Sequence, residues 1–387
     1  MSRSLLVVAG EISGDQHAAR VVKSVRDQCP DWTFWGIGGD GLQAAGVECL
    51  YDSRDMAVLG LSEVLRRFSF FRRVFHHLCR EMDRRRPDAV LLVDYPGFNL
   101  RLARAAHARG IKVIYYICPQ VWAWHRSRIA RMARWVDRLL VIFPFEVEVF
   151  AGTDLHVDFV GHPLVDQARV ALAAPLQELP WPAAGPRVAL LPGSRRQEVE
   201  RILPPMWAAA RELARTQPAA AFIIAAPSPA IAEAVARVQA TLPAGDGPPV
   251  AVVTGQTREV LRQARGAMVA SGTATIETAL MGCPFIVVYK TATLTYWFGK
   301  RLIRVPYLGM VNIVAQRLLC PEFLQHDAQP APMAAALAPL LADGPVREAM
   351  IEGLREVAAA LGEMDPVTAA ADSVLRAVDS RTANERQ

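Results

Sequence analysis

The sequence predicts an α/β protein built from two Rossmann-like domains facing across a cleft. Three observations predict it. Short apolar runs of strand length alternate with segments of helix length twice over, in two series of similar size. Each series has glycine-containing turns where an apolar run hands over to a helix. Between the series the composition changes, with four prolines in 170–186, as in an interdomain linker.

At 387 residues, 52% hydrophobic and 21% charged, the chain has the length and apolar content for two α/β domains. The expected division is 1–169, a linker at 170–186, 187–345, and C-terminal helices at 346–387 that pack back on the first domain. The six cysteines are scattered without a CxxC pair, which supports neither a zinc ribbon nor a redox motif. The N-terminal apolar run is too short for a signal peptide, and no run of about 18 uncharged apolar residues occurs. A cytoplasmic protein with free thiols is expected. The net charge of +5 is modest, and no nucleic-acid partner is expected.

In the first series, 5–9 is a buried strand, 10–15 (Gly-Glu-Ile-Ser-Gly-Asp) a ligand-approachable turn, and 16–28 a helix. A second strand at 32–37 runs into Gly36-Ile37-Gly38-Gly39-Asp40-Gly41, a formal GxGxxG. It follows the second strand, so it is a weak dinucleotide signal. Helix 63–86 places Val64, Phe68, Phe71, Phe75, Leu78 and Met82 on one stripe, with Arg66, Arg73, Arg80 and Arg84 opposite and Phe70 beside the basic face. This reads either as a core helix with a solvated side or as a surface for anionic lipid. Strand 89–93 ends in Asp94-Tyr95-Pro96-Gly97-Phe98-Asn99. Asp94 falls where open α/β sheets bind ligands, or is a turn residue, and Asn99 reads as a helix cap. Strand 112–117 leads to Pro119-Gln120-Val121-Trp122-Ala123-Trp124, whose tryptophans line a pocket or plug the core. A basic helix and a strand at 138–143 follow, then Gly161-His162-Pro163, whose histidine reads as a packing or capping residue.

The second series opens with strand 188–191, the turn Pro192-Gly193-Ser194-Arg195-Arg196, and a helix from 198 with a break at Pro204-Pro205. Strands at 221–225 and 251–253 precede 264–290, around which the domain is organised. There a strand ends at Ser271-Gly272, helix 273–280 stops at Met281-Gly282, and a β-branched strand follows. A helix start of this kind favours phosphate, and Glu277, one turn in, can accept two hydrogen bonds from a ribose diol. The alternative is an ordinary βαβ unit capped by Ser271 or Thr273, with Glu277 solvated. Residues 295–303 read as helix, 308–316 as an irregular loop, the segment from 331 as Ala-rich helix, and the end beyond 380 as frayed.

Six pieces in order carry a family resemblance: Val8-Ala9-Gly10-Glu11-Ile12-Ser13-Gly14-Asp15, Val93 to Asn99, Pro119 to Trp124, Val160-Gly161-His162-Pro163, Leu190 to Arg195, and Ser271 to Glu277. Over roughly 5–375 the chain resembles bacterial lipid A disaccharide synthase, a family 19 glycosyltransferase. Arg196, His125 and Val311 depart from that pattern and bear on the phosphate and acceptor loops. The resemblance implies a GT-B fold and inverting transfer of 2,3-diacylglucosamine from UDP-2,3-diacylglucosamine to 2,3-diacylglucosamine 1-phosphate. It also implies a β-1,6-linked product, no cofactor, peripheral association with the inner membrane, and a homodimer with exchanged C-terminal parts. Inversion needs a base and a stabilised leaving group. Asp94 is the expected base. With no Asp-x-Asp pair to hold a metal, diphosphate charge falls to Arg195 and the Gly272–Thr273 helix start. Gly193, Ser194, Glu277 and Asn312 complete the expected nucleotide set, and Gly10, Glu11, Ser13, Gly14 and Asp15 the acceptor set. Lipid substrates turn the reading of helix 63–86 towards a membrane surface with Arg66, Phe70 and Arg73. The alternatives are another UDP-sugar transferase or epimerase on this fold, separable by acyl-chain dependence, and a non-catalytic peripheral lipid-binding protein, separable by UDP affinity.

Overall fold

The structure is a computed structural model that describes residues 3–56, 68–124, 126–242, 248–291, 305–362 and 364–384. The chain forms two compact units, Met1–Pro163 with Gly362–Gln387, and Leu164–Leu361. The first holds seven parallel strands: β1 (Ser4–Ala9), β2 (Thr33–Gly38), β3 (Glu48–Asp52), β4 (Ala89–Val93), β5 (Lys112–Tyr116), β6 (Arg138–Val141) and β7 (His156–Phe159). Their order is β3-β2-β1-β4-β5-β6-β7, so the direction of winding reverses between β1 and β4. The central strands β1 and β4 are apolar along almost their whole length and buried, as strands covered by helices on both faces must be.

The second unit repeats the plan with β8 (Arg187–Leu191), β9 (Ala221–Ala226), β10 (Val250–Thr254), β11 (Gly266–Ala270), β12 (Phe285–Tyr289) and β13 (Glu322–Leu324). The order is β10-β9-β8-β11-β12-β13, again parallel, with the reversal between β8 and β11. Ligands of open α/β sheets gather at the carboxyl ends of strands beside such a reversal. The two-domain α/β class is the one the alternating pattern predicts.

Several local expectations change. The helix after β1 starts at Ile12 rather than at 16. The helix Arg196–Thr216 runs through Pro204 and Pro205 without the expected break, because Val199, Ile202, Leu203, Met206, Ala209, Ala210 and Leu213 bury one continuous face. The expected loop 308–316 contains the helix Met310–Ala315. The passage between units falls at 163–164, earlier than the proline-rich stretch. That stretch packs within the second unit, where the Gln177 N–H donates to Glu259 Oε1 at 3.1 Å and Trp181 Nε1 to Gln263 Oε1 at 3.0 Å. The helix Pro345–Ala360 also belongs to the second unit, while Pro366–Asn384 packs on Ile12–Gln28 and β5 of the first.

Of helix 63–86, Phe68–Arg85 is described. It buries Val74, Leu78 and Met82, so Val74 joins the apolar stripe and Phe68 leaves it for solvent. Arg73 is exposed. Phe70 lies half-buried against Tyr51, ring centroids 6.4 Å apart, rather than out on the basic face. Arg66, Val64 and residues 295–303 lie outside the described residues, as does His125. No helix among the described residues is long and apolar enough to cross a membrane.

Candidate active site

In the first unit Ala9 of β1 pairs in register with Val93 of β4, so the turns that follow leave the sheet side by side. The turn after β4 is sharp: Asp94 and Tyr95 both adopt left-handed backbone, φ +44° and +49°. Such residues cost roughly 1–3 kcal/mol each and persist where the surroundings hold them. Here Asn99 Nδ2 donates to the Asp94 carbonyl at 2.8 Å and the Val93 carbonyl at 3.1 Å, and the Tyr115 hydroxyl donates to the Asp94 carbonyl at 2.6 Å. Asn99 therefore ties down the strand end instead of capping the helix Pro96–His107, inside which it lies. A Cβ on Gly10 would fall 2.5 Å from the Tyr95 ring, so glycine there lets the two turns close on one another.

Asp94 is half-buried. Burial, and secondarily the charge of Glu11, push its carboxyl up to about 6. Glu11 and Ser13 are exposed at the adjoining helix start, and Gly14 packs close to Val93. Asp15 differs from its expected place in the acceptor set. It is buried, and its carboxylate accepts the N–H groups of Gly39 (2.6 Å), Gly41 (2.9 Å) and Leu42 (3.2 Å). A Cβ on Gly41 would sit 2.8 Å from Asp15 Oδ2. The GxGxxG turn is thus the seat of an internal carboxylate, which accounts for its glycines without a dinucleotide.

The tryptophans divide. Trp122 is buried and donates to Glu146 Oε1 at 3.1 Å, while Trp124 is exposed. Glu146, which the sequence reading missed, also accepts the Phe143 N–H, and burial pushes it up to about 7. His162 is buried against Phe143, and burial pushes it down to about 3, helped by His17.

In the second unit Leu191 of β8 pairs with Val269 of β11, and the Pro192–Arg195 turn lies beside Ser271–Thr273. Gly193 has φ +124°, and a Cβ there would fall 2.6 Å from Glu198. The Glu198 carboxylate accepts the N–H groups of Ser194 and Arg195 at 2.9 and 3.2 Å and pairs with the Arg195 guanidinium at 3.0 Å. These backbone groups are engaged by Glu198, which stands where an anion would. Its place three residues after Arg195 is the capping-box spacing, the one sequence signal that could have found it.

Gly272 caps the helix Thr273–Leu280 with φ +142°, so neither Ser271 nor Thr273 is the cap. The Ser271 hydroxyl donates to the Leu308 carbonyl at 2.8 Å, tying 308–316 to the helix start. Thr273 is exposed and Glu277 half-buried, with Arg258 Nε 2.8 Å from its Oε1. Asn312 does not present itself to a ligand. It is fully buried, with Nδ2 donating to Cys320 O and Glu322 Oε1, both at 2.8 Å, and Oδ1 accepting the Leu319 and Cys320 N–H groups. An amide satisfied on both sides orders the segment around it. Glu322 and Arg258 had no recognisable sequence signal.

A family model described as lipid-A-disaccharide synthetase matches residues 5–368. The chain belongs to the lipid-A-disaccharide synthase family. It is 39% identical over 374 residues to the lipid-A-disaccharide synthase of Myxococcus xanthus, covering 96% of each chain, and 42% identical over 363 residues to that of Syntrophus aciditrophicus, covering 93% and 94%. Among solved structures it resembles a UDP-N-acetylglucosamine 2-epimerase from Listeria monocytogenes described as putative (TM-score 0.63, 15% identity, 99% and 98% covered). It also resembles the calicheamicin glycosyltransferase (TM-score 0.59, 17% identity, 98% of each chain covered). At such identities these likenesses establish the GT-B fold alone.

Proposed function

We propose that the protein is an inverting glycosyltransferase of lipid A assembly. It moves 2,3-diacylglucosamine from its UDP donor to 2,3-diacylglucosamine 1-phosphate and releases UDP. The observation that carries this reading is the half-buried Asp94 carboxyl, raised to about 6 at the β1–β4 switch point, in a chain of this family. A base works best with a pKa near the working pH. Asp94 takes the proton of the acceptor 6-hydroxyl as that oxygen attacks the anomeric carbon. Gly10, Glu11, Ser13 and Gly14 shape the acceptor side, with Asp15 holding the turn beneath. In the second unit Glu277 accepts the ribose diol, and Arg195 with the Gly272–Thr273 helix start takes up diphosphate charge. Gly193 and Ser194 lend their turn, and Asn312 supports the site from behind. Because Glu198 already occupies the Ser194 and Arg195 N–H groups, binding through that turn uses the Arg195 side chain or displaces Glu198. A UDP-N-acetylglucosamine 2-epimerase from Neisseria meningitidis was solved with UDP-N-acetylglucosamine bound (TM-score 0.57, 12% identity), and a UDP sugar on this fold accords with the donor proposed here.

The test incubates the protein with both diacylated sugars and looks for disaccharide and UDP. UDP titration by calorimetry then reads the donor site. Glu277→Ala and Arg195→Ala should each weaken UDP, the former by about 1.5–3 kcal/mol for hydrogen bonds to a charged acceptor. No disaccharide, or unchanged UDP affinity in both variants, overturns the reaction or the site respectively.

A further inference from the structure

We propose that Arg258 is a positioning residue for the donor nucleotide, holding the Glu277 carboxylate in place and ionised by its adjacent charge. The proposal rests on the assignment of the ribose to Glu277.

Arg258 lies on the helix Thr257–Gln263 and Glu277 on Thr273–Leu280. Arg258 Nε is 2.8 Å from Glu277 Oε1. The contact is a close ion pair that engages Oε1, one of the two carboxylate oxygens. On its far side the guanidinium donates through Nη2 to Gln167 Oε1 at 2.5 Å, on the helix Leu164–Ala173. The guanidinium is therefore fixed from behind and offers charge forward. The contact is with Oε1, and no hydrogen bond among the described residues is made to Glu277 Oε2, which faces a diol unoccupied.

A pair of this kind is unlike an exposed salt bridge, which contributes little. The Glu277 side chain is only 20% exposed and the Arg258 side chain 33%. Burial pushes the Glu277 carboxyl up, and Arg258 is the charged group that opposes this. The helices packed on Thr273–Leu280 carry other charges. Glu259 pairs with Arg262, Glu352 with Arg355, and Glu356 with Arg317. Asp166, Arg169, Arg347 and Glu348 complete the set, the strand β11 and the helix Met310–Ala315 carry none, and none of these groups bears on Glu277 as Arg258 does. A carboxylate that must accept two hydroxyl donors has to be ionised, and in a half-buried seat the adjacent cation keeps it so.

The consequence is a pH signature. With the guanidinium removed, the Glu277 pKa rises further, so a larger share of the carboxyl is protonated as pH falls and UDP affinity falls with it. UDP is titrated calorimetrically at pH 6, 7 and 8 against the full-length wild type and the variants Arg258→Gln, Arg258→Lys and Glu277→Ala, with thermal unfolding to confirm each fold. The phosphate titration of UDP is common to all and cancels in the ratio to wild type. Arg258→Gln should lie close to wild type at pH 8 and fall progressively below it from pH 8 to pH 6, because the loss grows as the carboxyl takes up its proton. Arg258→Lys should restore the wild-type profile. An Arg258→Gln loss that is uniform with pH and not rescued by lysine, or no loss at all, overturns the proposal while Glu277→Ala still weakens binding. If Glu277→Ala binds UDP as wild type does at every pH, the ribose assignment falls and this proposal with it.

Discussion

Asp94 concentrates what single residues decide here. Its chemistry depends on Asn99, five residues on, and on two residues far away in sequence: Tyr115, which with Asn99 holds its carbonyl, and Glu11, whose charge adds to burial in raising its carboxyl to about 6. The base works only when deprotonated, so kcat/KM should rise with pH through about 6 and level off above it. Asp94→Asn should lower kcat by about 10²–10⁴ and remove that acid limb, while UDP affinity stays near wild type. A steady-state pH series checks both, and a variant with near-normal turnover would pass the role of base to Glu11. The candidates Glu11 and Asp15 look alike in the sequence, two acids in one glycine turn. They separate in the fold because one faces solvent and the other receives three backbone N–H groups.

At the scale of elements, the helix Phe68–Arg85 shows how far periodicity reaches. The spacing of Leu78 and Met82 identifies the buried side correctly, but Phe70 packs half-buried against Tyr51 on a strand that no local pattern announces. Phe68 and Arg73 are exposed, and we propose them as the apolar and basic groups that would meet a bilayer surface. Each basic residue near an anionic surface contributes about 1 kcal/mol, and salt screens it. Phe68→Ser with Arg73→Glu should therefore release the protein from anionic vesicles at low salt. Phe70→Ser should instead lower the melting temperature, since it opens the contact with Tyr51. Co-sedimentation and thermal unfolding, run on the same variants, separate the two effects. If vesicle binding survives the first pair, this helix is not the membrane surface.

For the whole molecule, pH acts through groups that burial sets in opposition. His162 and His17 are pushed down to about 3 and 4, so the unfolded chain holds more protons than the fold below about pH 6.5, and stability falls as pH drops through that range. Asp94 and Glu146 are pushed up to about 6 and 7, so the fold holds their protons more tightly, and they add stability as pH falls over the same range. The two pairs offset one another between about pH 5 and 6. Removing one side exposes the other. His162→Asn should lose less melting temperature between pH 6.5 and 5 than wild type, and Asp94→Asn should lose more. Equal slopes in all three proteins would mean that these groups are accessible to solvent in the fold.

The sequence by itself determined the α/β class, the two series of strands, the family, and the positions of the turns that carry Asp94 and Arg195 and of the helix start before Glu277. These follow from apolar runs, glycines and short-range order, which are properties of neighbouring residues. It did not determine which acids are free to act. Asp15 and Asn312 each read as ligand-facing, and each is occupied by backbone groups or an amide network that chain crossings bring to it. Nor could it pair Arg258 with Glu277, because they stand 19 positions apart on two helices with β11 between them, a spacing no local repeat links. A side chain's availability depends on what the folded chain places against it. Sheet order decides that, by setting β4 beside β1 and β11 beside β8 across long stretches of sequence.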